Sequence, residues 1–154
     1  MAPSDLSFLA ARTEPSALRA SQHLPEEVDW RKHLRSSQYI RSQGDCGSCW
    51  AISAVGALEM HAELAHGNTT VLSYEHLVHC VPNPKRCGGP GGCGGATAEL
   101  AFKYVKEHGV VIDEDFSTEE RATATVGAAS CEAAAQGGRI TSSGFVHLPV
   151  NRGL

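Results

Sequence analysis

The run Gln43-Gly44-Asp45-Cys46-Gly47-Ser48-Cys49-Trp50 concentrates the reactive side chains of this 154-residue chain. A thiol attacks a carbonyl as its thiolate. A helix N-terminus favours that anion through its unpaired N–H groups and its macrodipole. Ser48 precedes an apolar run, so Cys49 falls at such a terminus. Acyl transfer also needs donors aimed at the oxygen that gains charge in the transition state. Gln43 lies six residues before Cys49, across a glycine-containing turn, and offers a side-chain amide. The backbone N–H of Cys49 offers a second donor. Cys46 faces another way and is free to form a structural bridge.

Two other chemistries use a Cys-x-x-Cys pair. A zinc site needs two more ligands, and Cys80, Cys87 and Cys93 are at hand, but their spacings of seven and six are not those of close ligand pairs. A redox pair wants a strand ahead of its helix, and Arg41-Ser42-Gln43-Gly44-Asp45 reads as a polar turn. The sequence therefore points to no metal and no cofactor.

The elements that must position these groups follow from pattern. Cys49 to about Ala65 reads as a helix with apolar residues on several faces: Trp50, Ala54 and Leu58 on one, Ile52, Val55 and Glu59 on another. Such a helix is largely buried. Gly67 ends it, and Asn68-Thr69-Thr70 is a loop that carries a glycosylation sequon at Asn68. A second helix starts at Ser73, a good N-cap, with Leu72 and Leu77 placed as a hydrophobic staple. Its capping box is incomplete, because His76 stands where Glu or Gln would complete it. Residues 82–95, rich in Pro and Gly, exclude regular structure. A third helix follows Thr97 as cap, with Glu99/Lys103 and Lys103/Glu107 spaced for i,i+4 support, and Gly109 ends it. Residues 117–139 hold one large aliphatic, Val126, and read as a surface stretch pinned by Cys131. Residues 140–150 return to strand character. Residues 1–22 read as a leader or propeptide remnant, and their Leu6–Ala11 stretch is too short and polar for a signal-peptide core.

Composition bounds the function. Thirteen Lys and Arg against 17 Asp and Glu give a net charge of -4, which excludes a generic nucleic-acid binder. No stretch approaches the ~20 apolar residues of a membrane span. With 16 Gly and only two Trp, three Tyr and four Phe, the core is thin, and six cysteines gain importance as staples.

The segment Gln43 to Ala54 resembles the nucleophile segment of papain-family cysteine peptidases, the cathepsin L-like group in particular. Leu24-Pro25-Glu26-Glu27-Val28-Asp29-Trp30-Arg31 resembles the mature N-terminus of those enzymes. Leu72 to Cys80 is similar to the family's next helix, and Gly92-Cys93-Gly94-Gly95 to its glycine-rich substrate loop. The resemblance covers residues 24–116 well and 117–154 loosely. It implies an α+β papain-like fold, of which residues 23–154 form the mainly helical leading lobe, with the β-rich second lobe missing.

The same resemblance assigns roles. Cys49 is the nucleophile and Gln43 an oxyanion donor. Gly47 lines S1, Gly94 and Gly95 offer backbone to an extended substrate, and Thr97 and Ala98 lie by S2. The family loop usually reads Cys-Asn-Gly-Gly, whereas this chain reads Cys93-Gly94-Gly95-Ala96, so Ala96 takes the place of a family glycine. Disulfides map to Cys46–Cys93 and Cys80–Cys131, leaving Cys49 free and Cys87 over. The setting implied is lysosomal, vacuolar or secreted. The partners implied are protein or peptide substrates, cystatin-like inhibitors and the second lobe, with no nucleic acid and no membrane.

A cysteine nucleophile of this type takes its base from a His ~130–150 residues downstream, and the sequence stops at Leu154. His61, His66, His76 and His79 read as helix-surface or interhelix residues. His147 lies 98 residues after Cys49, in a segment resembling the crossover into the second lobe, and nothing near it sets a tautomer or reach. The expectation is a cysteine-type peptidase present as an incomplete chain. The alternative is an inactive truncated module that binds peptides or acts as a decoy.

Overall fold

The computed structural model describes residues 26–116, Cys131 and residues 139–147. The expected leader and most of the 117–139 stretch lie outside these residues. Three helices dominate: α1 (Cys49–His66), α2 (Tyr74–Cys80) and α3 (Ala98–His108). A two-residue antiparallel pair, β1 (Val110–Val111) and β2 (Arg139–Ile140), joins Val110 to Ile140 and Val111 to Arg139.

The α1 helix is the central element, packed against both α2 and α3. Trp50, Ala51, Ala54, Val55 and Leu58 are buried on it, together with the acids Glu59 and Glu63. Burial around much of the circumference is what the many-faced apolar pattern predicts. The helix closes on Gly67, whose left-handed backbone (φ 72°) lets its N–H reach the Glu63 carbonyl at 2.7 Å. Ser48 holds the N-cap position, yet its side chain caps nothing. It is fully buried and turns toward the Cys46 carbonyl instead.

At α2 the cap forms as the sequence predicts: Ser73 Oγ accepts the His76 N–H at 3.2 Å. Leu72 and Leu77 are both fully buried beside it, each burial worth ~1.5–3 kcal/mol. The chain entering α2 is tied to the chain leaving α3. Ser73 N–H donates to Val111 O at 3.0 Å, Asp113 N–H donates to Val71 O at 2.9 Å, and Leu72 bridges Ile112.

Two expectations for α3 and one for the chain after it change. Thr97 sits in extended backbone at the N-cap, but its hydroxyl makes no cap bond. Among the described residues Lys103 pairs with neither Glu99 nor Glu107; the Glu99 carboxylate faces His147 Nε2 at 3.1 Å instead. Of the strand expected over 140–150, the described part pairs only at Arg139–Ile140, because its partner is only two residues long before Ile112 turns to Leu72 and a 3-10 turn begins at Asp113; residues 148–150 lie outside the described residues. Residues 141–147 are irregular and lie along α3, with the Phe145 and Phe102 rings 5.7 Å apart. Residues 82–95 hold only a 3-10 turn at Gly92–Gly94.

Candidate active site

Cys49 is the first residue of α1, exposed and free of any disulfide. Its N–H belongs to the first helical turn, where the helix supplies no partner. The loop before it is closed on itself. Gly44 adopts φ 54°, Cys46 N–H donates to Gln43 O at 3.2 Å, and the Gln43 side-chain amide donates to Cys46 O at 3.0 Å. Ser48 N–H meets the same Cys46 carbonyl at 2.7 Å. Gln43 and Cys49 are thereby the two ends of one tight turn, and both are exposed.

Three links fasten this turn to the glycine loop. Cys46 and Cys93 form a disulfide with Cα atoms 4.6 Å apart. Gly47 N–H donates to the Cys93 carbonyl at 2.9 Å. Trp50 Nε1–H donates to Gly92 O at 3.1 Å. These links bring the backbone of Cys93 and Gly95 against Gly47, two residues before Cys49; Gly94, Thr97 and Ala98 follow or flank them in sequence. A second disulfide, Cys80–Cys131, ties the end of α2 to the chain beyond α3, and Cys87 remains a free, exposed thiol. The two bridges consume cysteines that a metal reading required. Among the described residues no group of three or more His, Cys, Asp or Glu could hold a metal.

Within the glycine loop, backbone groups are already partly committed. Gly94 N–H donates to Gly91 O, Gly95 N–H to Gly92 O, and Gly95 O accepts from Gly91 N–H at 2.8 Å. Ala96 makes no hydrogen bond among the described residues, and its carbonyl lies against Gly88. Gly88 and Gly89 pack against this edge so closely that a Cβ on either would meet the carbonyls of Gly94, Gly95 or Ala96 within 3.0 Å. Asn83 organises that underlying turn: its side chain accepts from Cys87 N–H at 2.8 Å and donates to the Cys87 and Gly89 carbonyls.

Two buried acids on α1 hold the segment that leads into the site. Arg41 grips Glu59 with both terminal guanidinium nitrogens, and Glu59 Oε1 also accepts the Leu72 N–H at 2.7 Å. Glu59 is 1% exposed. Glu63 accepts from the hydroxyl and N–H of Ser36 and from the Arg35 N–H, at 2.7, 2.8 and 3.0 Å. The Ser36 hydroxyl, followed by these backbone donors, holds the Glu63 carboxyl below the usual glutamate range. Sequence reading missed both acids. The signal was there for Glu59: a carboxylate on an apolar helix face implies a buried cation nearby.

No described histidine hydrogen-bonds Cys49. His147 is exposed and engaged with Glu99 and the Phe145 ring, and His76 is enclosed between Tyr104 and Phe116. Asn68 is exposed just past the end of α1.

A free cysteine thus heads a buried helix that a disulfide staples to a glycine-rich edge, the arrangement that the resemblance to papain-family cysteine peptidases implies. The comparisons agree. The profile of the papain family cysteine proteases matches residues 24–152, and the chain belongs to that family. It is 37% identical over 150 residues to cathepsin J of Rattus norvegicus, covering 96% of this chain and 42% of that protein. It is 35% identical over 126 residues to procathepsin L of Mus musculus, covering 82% and 35%. Among solved structures, the Carica candamarcensis cysteine protease CMS1MS2 in complex with E-64 matches with a TM-score of 0.53 at 31% identity, over 63% of this chain and 42% of that one. The described fold is thus the mainly helical leading part of the papain-like architecture. The chain spans less than half the length of these relatives.

Proposed function

We propose that this chain carries the nucleophile half of a cysteine peptidase. The observation that supports it most is the free, exposed Cys49 at the first position of α1, in one turn with Gln43 and stapled to the glycine loop. In this reading Cys49 Sγ attacks the scissile carbonyl carbon and the C=O pair moves onto oxygen. The Cys49 N–H and the second N–H of the Gln43 amide, the one not given to Cys46, stabilise that oxyanion. Collapse expels the amine, which takes its proton from the conjugate acid of the base, and leaves a thioester that water hydrolyses. The base is a histidine from a second lobe outside these residues.

Substrate runs along Gly47, Gly94, Gly95 and Ala96, with Thr97 and Ala98 beside the second pocket. Protein or peptide substrates and cystatin-like inhibitors occupy the same cleft. Two disulfides fit an oxidising setting, lysosomal, vacuolar or secreted, where Asn68 is available to glycosylation. No helix among the described residues is long and apolar enough to cross a membrane.

The second reading, an inactive peptide-binding or decoy module, is favoured by one observation: no described histidine reaches Cys49. A fluorogenic peptide assay on residues 1–154, with and without a separately produced second lobe, divides the two. Cys49-dependent hydrolysis that appears only with the added lobe supports the peptidase half. Peptide binding with no hydrolysis in either case supports the decoy.

A further inference from the structure

Arg41 and Glu59 stand apart from the reacting groups, yet they bracket them. Cys49 and Glu59 share α1, ten residues and ~15 Å of helix apart. Arg41 is two residues before Gln43. Its side chain is largely buried, and it binds both oxygens of Glu59 while a guanidinium nitrogen also reaches the Leu72 carbonyl at 3.4 Å. On the other side of Gln43, Cys46 is fixed by the Cys93 disulfide and by its own bonds to Gln43. Gln43 is therefore suspended between two anchors: Arg41, tied to Glu59 of the helix that carries Cys49, and Cys46, tied to the glycine loop three residues before Cys49.

We infer that the Arg41–Glu59 pair is a positioning device for the oxyanion donor: it sets the Gln43 amide relative to Cys49 and acts through Gln43 alone. This inference rests on the acyl-transfer reading above. The planar fork of Arg41 is what makes the anchor rigid. A lysine keeps the charge but grips as a single point, so the Gln43 segment gains freedom while the buried acid stays paired.

The test uses the 154-residue chain and two probes of Cys49. Iodoacetamide alkylates the thiol without building an oxyanion. A peptide aldehyde labelled at its carbonyl carbon adds reversibly. The S–C bond forms, the C=O pair becomes an alkoxide lone pair, and the thiol proton passes to solvent or to that oxygen. The adduct is followed by carbon NMR. Gln43→Ala is expected to weaken the aldehyde roughly tenfold or more, the scale of a lost oxyanion donor. Arg41→Lys is expected to weaken it several-fold, with the iodoacetamide rate and a cooperative thermal transition retained. In the Gln43→Ala background, Arg41→Lys is expected to add nothing, since the device has lost its object. Glu59→Gln should repeat the Arg41→Lys result; Arg41→Lys decides if the buried Gln variant fails to fold. An Arg41→Lys effect of equal size in both backgrounds, or none on the aldehyde, overturns the inference and leaves the pair purely structural. Absence of any Cys49-dependent adduct in the unmodified chain even with the separately produced second lobe added, or an adduct indifferent to Gln43→Ala, overturns the acyl-transfer reading and this inference with it.

Discussion

Gly47 and Cys93 meet backbone to backbone: the Gly47 N–H lies 2.9 Å from the Cys93 carbonyl oxygen, and a Cβ at position 47 would stand 2.6 Å from it. The glycine is thus required by the approach of two chain segments, before any substrate is considered. Gly47→Ala must push the Cys93 loop away or break that bond, while the disulfide one residue earlier resists the move. The expected cost is ~1–3 kcal/mol, as for overpacking a tight contact, read as a lower urea midpoint. Peptide-aldehyde affinity should fall as well, because the displaced loop carries the Gly94–Ala96 edge. An Ala variant as stable as the parent would show that the loop yields freely.

Trp50 supplies the third link between the two segments. Its Nε1–H bond to Gly92 O is 3.1 Å long and its ring is buried in the core. Trp50→Phe keeps most of the apolar contact and leaves the Gly92 carbonyl without its donor. A lost hydrogen bond of this kind costs ~0.5–1.5 kcal/mol, with a further contribution from the smaller ring. Amide exchange in Gly91–Gly95 should accelerate while α2 keeps its protection. Uniform acceleration across all three helices would instead mark a global loss of stability.

Glu63 gives the leading segment an acid limit. Its carboxyl is held below the ordinary range chiefly by the Ser36 hydroxyl. A carboxyl with a lowered native pKa contributes stability above its unfolded value, about 4.3, and that stability is lost as pH falls through the native value. Glu63→Gln should therefore be less stable than the parent at neutral pH. The gap should close as the pH drops below the glutamate range. Urea midpoints measured from neutral to strongly acidic pH follow the convergence. A gap independent of pH would assign the effect to lost packing.

The three helices were legible because each carried a local signal. Ser73 and the Leu72/Leu77 pair marked α2, Gly67 and Gly109 marked two C-termini, and the many-faced apolar run marked α1 as buried. The Gln43–Cys49 turn was legible because Gln43, Cys46 and Cys49 sit within seven residues. What stayed hidden depends on contacts between distant segments. Arg41 and Glu59 are 18 residues apart, Gly47 and Cys93 are 46 apart, and Glu99 meets His147 across 48. The Thr97 and Ser48 caps looked sound locally, yet Ser48 is buried against Cys46 and neither side chain makes a cap bond. The strand near 140 looked long because its own residues permit one, but strand length is set by the partner, and β1 offers two residues.

The remaining prediction concerns the group that would pair with Cys49. A thiol becomes a strong nucleophile at acid pH when a histidine pairs with it, a far larger effect than a helix terminus supplies at an exposed site. No described histidine hydrogen-bonds Cys49, and the imidazole of His147 is occupied by Glu99. Iodoacetamide labelling of Cys49 at acid pH should therefore be slower in residues 1–154 than in the same chain supplied with a histidine partner. Adding a separately produced lobe that carries the histidine should accelerate labelling most at the acid end, flattening the profile. Cys87, the other free and exposed thiol, serves as the internal reference: its labelling should be indifferent to the added lobe. Peptide mapping by mass spectrometry separates the two sites, and Cys49→Ser removes only the lobe-dependent signal. Rapid labelling of Cys49 at acid pH in the 154-residue chain alone would place a base within it, and His147→Ala would then be the variant to make.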